Sequence, residues 1–167
     1  MDWQRRFLTA IPERLRHVLQ FRPYPIEYGY GAREQLTKRL GEMAWDGRQP
    51  FTRALRASRL VVVDHLGTTC LEALSFGVPT ILFWDPQRSP ARDDAAPSLD
   101  ALRAVGILWD SPEAAAAHAA AVYDDPGEWW NRPSVQEARQ RFIERYALGR
   151  RDWLSSWAAV LNHELPA

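Results

Sequence analysis

Two apolar runs, separated by a glycine-containing turn and a helical stretch, define the centre of this chain. The runs lie at residues 60–64 and 80–84. Each is apolar at successive positions, which is typical of strands that are covered by helices on both faces of a parallel sheet. Residues 69–76 between them have helical character, and Gly77 then ends the helix. The segment therefore predicts a strand, a crossover helix and a second strand parallel to the first.

Strand-like and helical segments alternate along most of the chain. Short apolar runs at residues 21–24 and 107–109 predict two further strands, and residues 42–50 are predicted to be loop. Helices are predicted at residues 2–19 with a break at Pro12, and at 32–41, 51–57, 99–105, 112–123, 126–130, 134–146 and 151–163. Ser111 is the predicted cap of the helix at 112–123, and Ser134 opens the helix at 134–146 in a capping box with Glu137. This order favours a doubly wound α/β fold with a Rossmann-like parallel sheet and flanking helices. We expect one domain over residues 1–167, with residues 111–167 as its helical C-terminal region.

The composition argues against several classes of protein. The chain has 167 residues, 46% of them hydrophobic, and its 21 basic residues balance 21 acidic ones. This hydrophobic fraction supports a folded core, and the zero net charge argues against nucleic-acid binding. Cys70 is the only cysteine, so no internal disulfide can form and a reducing compartment is expected. The sequence shows no signal peptide and no apolar run of the ~18–20 residues that span a bilayer, so we expect a cytoplasmic protein.

The turn at Gly67, Thr68 and Thr69 lies where the first central strand meets its helix. In open parallel sheets, ligands collect at the carboxyl ends of the strands. A glycine lets a ligand approach the backbone, and the N–H groups and partial positive charge of a helix start favour a phosphate. Glu72 follows about one turn later, where a carboxylate suits the vicinal hydroxyls of a ribose. These residues are candidates for a nucleotide site.

A purely structural interpretation of the same residues stays open. Thr69 and Glu72 have the spacing of a capping box, in which the threonine caps the helix and the glutamate bonds back to its backbone. Cys70 is interpreted as a packing residue, because no histidine pattern accompanies it as it would a nucleophile. Trp153 and Trp157 in the last helix are predicted to be core residues, with a platform for carbohydrate as the alternative.

The acidic and histidine residues do not imply a metal. No Asp-x-Asp motif follows a predicted strand, and the acidic pairs at residues 93–94 and 124–125 are typical of solvated loops. The other histidines do not show the spacing of metal ligands: His17, His118 and His163. We therefore expect neither a metal nor a cofactor.

The motifs around the turn resemble the donor-binding signature of GT-B glycosyltransferases. The stretch HLGTTCLEAL at residues 65–74 leads to GVPTI at residues 77–81. In those enzymes a strand leads in the same way to a glycine-containing turn, a Leu-Glu-Ala helix, a Gly-x-Pro and another strand. The spacing from Gly67 to Glu72 is similar to that of the Kdo-transferase type and is one residue shorter than in the plant glucosyltransferases.

Most of the chain is similar to a family of transferases of surface-carbohydrate (O-antigen) biosynthesis, which is itself GT-B-like. The similarity extends from about residue 21 to about residue 161. Besides the threonine pair it includes these motifs: RPYP at 22–25, SRL at 58–60, WWN at 129–131 and QEAR at 136–139. The order of the motifs is more specific than any one of them. The resemblance implies the fold of a GT-B C-terminal, donor-binding domain.

Applied to this sequence, the resemblance implies a donor site in and around the turn. Gly67, Thr68 and Thr69 would hold the phosphates of the donor, and Glu72 would hold its ribose. His65 would meet the sugar or the pyrophosphate, with a plain hydrogen-bonding role as the alternative.

Two positions outside the turn complete the implied site. Arg22 ends the earlier strand at the same rim and would neutralise phosphate charge, with a surface salt bridge as the alternative. Asp85 and Gln87 follow the next strand, where related enzymes touch the sugar. Here the sequence departs from the plant motif.

The resemblance also implies a function. The chain would be the nucleotide-sugar donor-binding half of a GT-B-like glycosyl or sugar-phosphate transferase of surface polysaccharide biosynthesis. The catalytic base would come from an acceptor domain on a separate or upstream polypeptide, so we expect the chain alone to be inactive. A non-catalytic nucleotide-binding module and a domain similar to sugar-nucleotide epimerases stay open as alternatives.

In this type of fold the strand order is 3-2-1-4-5-6, so the first strand lies between the second and the fourth. The run at residues 21–24 matches the second strand and the run at residues 60–64 the fourth, so the strand between them would precede Met1. The two runs would then pair directly, stay apart with open edges, or receive a strand from another chain. Because open edges favour association, we expect low solubility or a self-associated state.

Overall fold

The computed structural model of the protein describes residues 2–23, 31–40, 44–45, 49–147, 149 and 152–164. The strands are β1 (Gln20–Phe21), β2 (Ala44–Trp45), β3 (Val61–Val63), β4 (Thr80–Phe83) and β5 (Leu108–Trp109). The helices are α1 (Asp2–Ala10), α2 (Glu13–Arg16), α3 (Ala32–Leu40), α4 (Phe51–Ala57), α5 (Thr68–Phe76), α6 (Ala96–Ala104), α7 (Pro112–Val122), α8 (Pro126–Trp130), α9 (Pro133–Tyr146) and α10 (Trp153–Glu164). In this part of the chain, no helix combines the length and the apolar character that crossing a membrane requires.

The strands of the described residues form two parallel sheets. In the smaller sheet β1 pairs with β2, and Gln20 lies opposite Ala44. The larger sheet has the order β3-β4-β5, and Val61 on β3 lies opposite Thr80 on β4. The fold is therefore mixed α/β with a small parallel three-stranded sheet and many helices. Among the described residues β1 and β3 stay apart, which is one of the three arrangements that the sequence left open.

The core is built around β4, whose four residues are all buried. Burial on both strand faces requires that helices cover both sides of the sheet. The α1 helix covers Phe83, because the ring of Phe7 stacks on it at 5.0 Å and the ring of Trp3 at 6.4 Å between centroids. Arg6 then connects α1 to α7 through Glu113 at 2.7 Å. The helices α5 and α6 each pack against the sheet and against α9.

Several predicted boundaries are confirmed. Gly77 ends α5 with a φ of 73°, in the left-handed region that glycine adopts most easily. Ser111 caps α7 by accepting a hydrogen bond from the Ala114 N–H at 3.1 Å. The helices α4 and α8 have the predicted bounds, and Pro12 separates α1 from α2. The central strand, turn, helix and strand are also present, as β3, α5 and β4.

Two predicted helix starts are wrong by one residue. The α5 helix begins at Thr68, with Gly67 as its N-cap, and α9 begins at Pro133. The pyrrolidine ring suits the first helical position, which explains why α9 starts before the predicted cap at Ser134. In the described residues, neither helix has a side chain that caps its start.

The structure adds β2 within residues 42–50, which were predicted to be loop. A strand of two residues is too short to show an alternating pattern, and pairing with β1 defines it. Residues 24–30, 41–43 and 46–48 lie outside the described residues. The predicted end of the first strand at Tyr24 and the predicted helix end at Gly41 fall among them.

The prediction that Trp153 and Trp157 are core residues is wrong. Their exposed fractions on α10 are 58% and 61%, and Leu154, Val160 and Leu161 are exposed as well. The apolar stripe is present, but the part of the chain that the structure describes does not cover it. Helical periodicity identifies side chains that share a face and does not identify what packs on that face.

Candidate functional site

The turn between β3 and α5 lies at the carboxyl end of β3. After Val63, the residues Asp64, His65 and Leu66 lead to Gly67, the N-cap of α5. Since β3 and β4 are parallel, the loop after β4 emerges at the same edge of the sheet. This is the edge at which open α/β sheets bind their ligands.

The start of α5 has the properties of an anion site. The Gly67 carbonyl accepts hydrogen bonds from the N–H groups of Cys70 at 3.1 Å and Leu71 at 3.4 Å, which closes the first turn. The N–H groups of Thr68 and Thr69 precede this ladder, and in the described residues no side chain caps them. Together with the helix macrodipole, such N–H groups favour an anion.

Glu72 does not form the capping box that the sequence left open. A capping box places its glutamate at the third helical position, whereas Glu72 is the fifth residue after the N-cap Gly67. Its side chain is half-buried. Glu72 shares a helix face with Thr68 and Thr69, and helical side chains lean toward the N-terminus of their helix. We therefore expect the carboxylate to lean toward the turn.

His65 and Asp64 form a hydrogen-bonded pair directly before the turn. His65 Nδ1 lies 3.1 Å from Asp64 Oδ1, and the other carboxylate oxygen accepts a hydrogen bond from Gln4 Nε2 on α1. The Asp64 side chain is 27% exposed and the His65 side chain is 54% exposed. The acid is thus enclosed while the imidazole reaches the surface.

The pair affects the pKa of both groups. The hydrogen bond to Asp64 raises the pKa of His65 above its ordinary value, against a smaller effect of burial. Burial by itself would raise the pKa of Asp64, but the hydrogen bonds from His65 and Gln4 outweigh it and leave that pKa below its ordinary value. The pair therefore favours a carboxylate beside an imidazolium.

The space above Gly67 is occupied by the His65 ring. A Cβ on Gly67 would lie 3.0 Å from His65 Cδ2 and 3.3 Å from His65 Nε2. Gly67 therefore makes room for the imidazole, and its role in letting a ligand approach the backbone stays a prediction. Replacement of Gly67 by a larger residue would therefore displace His65 first.

Asp85 emerges at the same edge as the turn, after β4. Its Oδ1 accepts a hydrogen bond from the Gln87 N–H at 3.0 Å, and its Oδ2 lies 3.7 Å from Arg88 Nε. The side chain is 21% exposed. These contacts show that Asp85 organises its own loop, and its contact with a sugar stays a prediction.

Arg22 follows β1 and is engaged near the start of α4. Its Nη2 donates to the Gln49 carbonyl at 2.8 Å, and its guanidinium lies 5.6 Å from the centre of the Phe51 ring. The sequence placed Arg22 at the rim of the phosphate site or in a surface salt bridge. These contacts connect it to the segment before α4, and its contact with a phosphate stays a prediction.

The sequence analysis missed Gln4 and Asp64. The adjacency of Asp64 and His65 was visible in the sequence, but the contact from Gln4 spans 60 positions and is a property of the fold. Cys70 is fully buried, and burial raises the pKa of its thiol. This agrees with its interpretation as a packing residue.

Comparison with known proteins identifies one family. A family model described as "LIC12162 family transferase" matches residues 1–161. Searches of curated proteins and of solved structures found no match. Among the described residues, no group of three or more His, Cys, Asp or Glu side chains is arranged to hold a metal ion.

Proposed function

Because the chain belongs to the LIC12162 family of transferases, we propose that it binds the nucleotide-activated sugar donor of a GT-B-like glycosyl or sugar-phosphate transferase. The transfer would belong to the biosynthesis of a surface polysaccharide. The observation that carries this proposal is the α5 start, where the N–H groups of Thr68 and Thr69 lack a side-chain cap within the described residues. The half-exposed His65 lies beside that start.

Each part of the donor has a matching group. The diphosphate would accept hydrogen bonds from the N–H and hydroxyl groups of Thr68 and Thr69. The imidazolium of His65 would add a positive charge. Glu72 would accept hydrogen bonds from the ribose hydroxyls. Asp85, at the same edge of the sheet, would face the sugar.

Catalysis would rest on electrostatic stabilisation of the departing nucleotide. Negative charge develops on the leaving diphosphate during transfer, and preorganised N–H groups and an imidazolium lower the cost of that charge. This chemistry needs no metal or other cofactor, and the donor is the substrate. The base that activates the acceptor would come from an acceptor domain, and we place the reaction in the cytoplasm, where Cys70 would stay reduced.

The ribose contact offers a direct test. Glu72→Gln keeps the size of the side chain but removes its charge, so it should weaken CDP, UDP or GDP more than the matching deoxynucleotide in calorimetry. Glu137→Gln, an exposed position on α9, is the matched control and should change neither affinity. Equal weakening of both nucleotides would contradict the ribose assignment.

The assignment of the catalytic base to an acceptor domain can be tested separately. The 167-residue chain should bind nucleoside diphosphates but should not turn over nucleotide sugars when acceptor lipid or glycan is added. Turnover by the purified chain would contradict the assignment of the base to an acceptor domain.

A further inference from the structure

We infer that Gln4 and Asp64 are positioning residues, which hold the His65 imidazole so that it presents Nε2 to the donor diphosphate. The inference rests on the proposed function and explains which residues orient His65 in the donor site. Gln4 belongs to α1 and Asp64 follows β3, so the contact joins the first helix to the candidate donor site. Each oxygen of the Asp64 carboxylate has its own partner, because Gln4 Nε2 donates to Oδ2 while His65 Nδ1 faces Oδ1.

The Asp64 carboxylate determines which nitrogen of His65 carries a proton. An ionised carboxylate only accepts hydrogen bonds, so the nitrogen that faces it, Nδ1, must be the donor. In the neutral imidazole Nε2 is then an acceptor and repels phosphate oxygens, which are acceptors too. In the imidazolium Nε2 carries a hydrogen and can donate. A phosphate contact through Nε2 therefore requires the charged ring, which the carboxylate stabilises.

The orientation of the ring brings Nε2 to the start of α5. The Cδ2–Nε2 edge lies against Gly67, at 3.0 Å and 3.3 Å from the position that a Cβ would take there. The opposite side of the ring is fixed by Asp64. Within the described residues Nε2 has no hydrogen-bond partner, and the side chain is 54% exposed. A ring with one nitrogen anchored and the other accessible beside a helix start is suited to an anionic ligand.

The groups around His65 indicate that Asp64 is the residue that raises the pKa of its imidazole. Among the described residues, Asp64 is the charged group that shifts the pKa of His65. The α1 helix contributes the uncharged amide of Gln4, and α5 begins with Gly67 and two threonines. Asp85, which follows the neighbouring strand, is paired with Arg88. Removal of the Asp64 charge should therefore act on His65 more than removal of any other acid.

The first measurement requires no ligand. The chain has four histidines, so their carbon-bound ring protons can be followed by NMR as the pH changes, and His65→Gln assigns the His65 signal. We expect Asp64→Asn, which keeps the shape and removes the charge, to lower the pKa of His65. Asp100→Asn, at an exposed acid on α6, should leave it unchanged. An unchanged pKa in Asp64→Asn would overturn the positioning role.

The second measurement uses CDP, UDP and GDP in calorimetry. Above about pH 7 the terminal phosphate of the nucleotide is already ionised. A change in affinity with pH in that range therefore reports ionisation of the protein and not of the nucleotide. Wild type should take up a proton on binding, and its affinity should fall as the pH rises through the pKa of His65. Asp64→Asn and His65→Gln should weaken binding about tenfold near pH 7, as expected for loss of a charge-assisted hydrogen bond. His65→Gln should also abolish the proton uptake, because it removes the group that takes up the proton.

The outcomes separate this inference from the proposed function. If a nucleotide binds wild type and Asp64→Asn with equal affinity and without proton uptake, the inference is wrong and the donor site stands. If none of the three nucleotides binds wild type, both are wrong. Gln4→Met keeps the side-chain length and removes the donor to Asp64, so it should weaken binding by a smaller factor. If Asp64→Asn fails to fold, Gln4→Met and His65→Gln test the inference in its place. Unchanged nucleotide binding in both of these variants would then overturn the inference.

Discussion

The indole Nε1 of Trp130 donates a hydrogen bond to the carbonyl of Gly77, at 2.9 Å, and thereby joins α8 to the C-terminal end of α5. The neighbouring Trp129 joins α8 to the C-terminal end of α6, because its Nε1 donates to the Val105 carbonyl at 3.0 Å. Carbonyls at helix ends lack intrahelical partners. The tryptophan pair of the WWN motif therefore satisfies the ends of two helices.

Arg139 reinforces the same end of α5. Its Nη1 donates to the Leu74 carbonyl at 2.7 Å, and its guanidinium lies 5.9 Å from the centre of the Trp130 ring. Gln136 accepts from Arg139 Nε at 3.0 Å and donates to the Trp130 carbonyl at 2.6 Å. The WWN and QEAR motifs thus fix the helix whose opposite end carries the candidate phosphate site.

The Trp130 contact predicts a specific loss of stability. Trp130→Phe keeps an aromatic ring but removes the N–H, which leaves the Gly77 carbonyl without this donor. The free energy of unfolding, measured in urea, should therefore decrease by about 1–3 kcal/mol. Trp153→Phe is the matched control, because Trp153 is 58% exposed, and it should change the free energy of unfolding by less than about 0.5 kcal/mol. Equal effects of the two substitutions would show that the hydrogen bond contributes nothing.

His118 predicts a dependence of stability on pH. Its Nε2 is buried, and in the described residues it has no hydrogen-bond partner. Burial lowers the pKa of His118, with a smaller contribution from the charge of Arg132. Below the ordinary histidine pKa the unfolded chain therefore binds the proton more readily than the folded chain does. His118 should thus lower the free energy of unfolding as the pH falls from about 7 to about 5.

The variant His118→Phe isolates this contribution. Phenylalanine keeps a ring between Trp109 and Trp129, which lie 5.0 Å and 4.8 Å from His118 between ring centroids. His65, whose pKa is raised, acts in the opposite direction and stabilises the fold at low pH, but it is present in both proteins and cancels in the comparison. The stability of wild type relative to the variant should therefore decrease as the pH falls. A constant difference would contradict the prediction.

The exposed face of α10 predicts self-association. Leu154 and Trp157 are 66% and 61% exposed, and apolar patches of this kind promote contacts between molecules. Trp157→Gln combined with Leu154→Gln should shift sedimentation toward the monomer and should change the free energy of unfolding by less than about 0.5 kcal/mol per substitution. Val18→Gln, at a separate exposed position, is the control. Association that persists in the double variant would instead favour the open strand edges predicted from the sequence.

Local patterns were sufficient to predict the centre of the fold. The apolar runs predicted β3 and β4, and Gly77 predicted the end of α5, because burial on both faces and a left-handed helix end each leave a signal within a few residues. The capping-box interpretation of Thr69 and Glu72 was wrong by two positions, since the N-cap is Gly67 and not Thr69. The start of a helix depends on small energetic differences that a short motif does not resolve.

Features that depend on distant parts of the chain were not predicted. The strand β2 exists through its pairing with β1, and Asp64 is held by a glutamine 60 positions away. The stripe on α10 was assigned to the core because periodicity does not show whether a face is covered. Nor did the sequence show that Trp129 and Trp130 hold helix ends, since their carbonyl partners lie 24 and 53 positions away.

The central claim is that the N–H groups at the start of α5 bind the donor diphosphate, and amide NMR tests it most directly. Uniformly labelled protein should be titrated with CDP, UDP and GDP while the backbone amide signals are followed. We predict that the amides of Thr68 and Thr69 shift most, with the His65 ring responding at the same nucleotide concentrations. A saturable titration whose largest shifts lie away from this turn, or the absence of any shift with all three nucleotides, would contradict the claim.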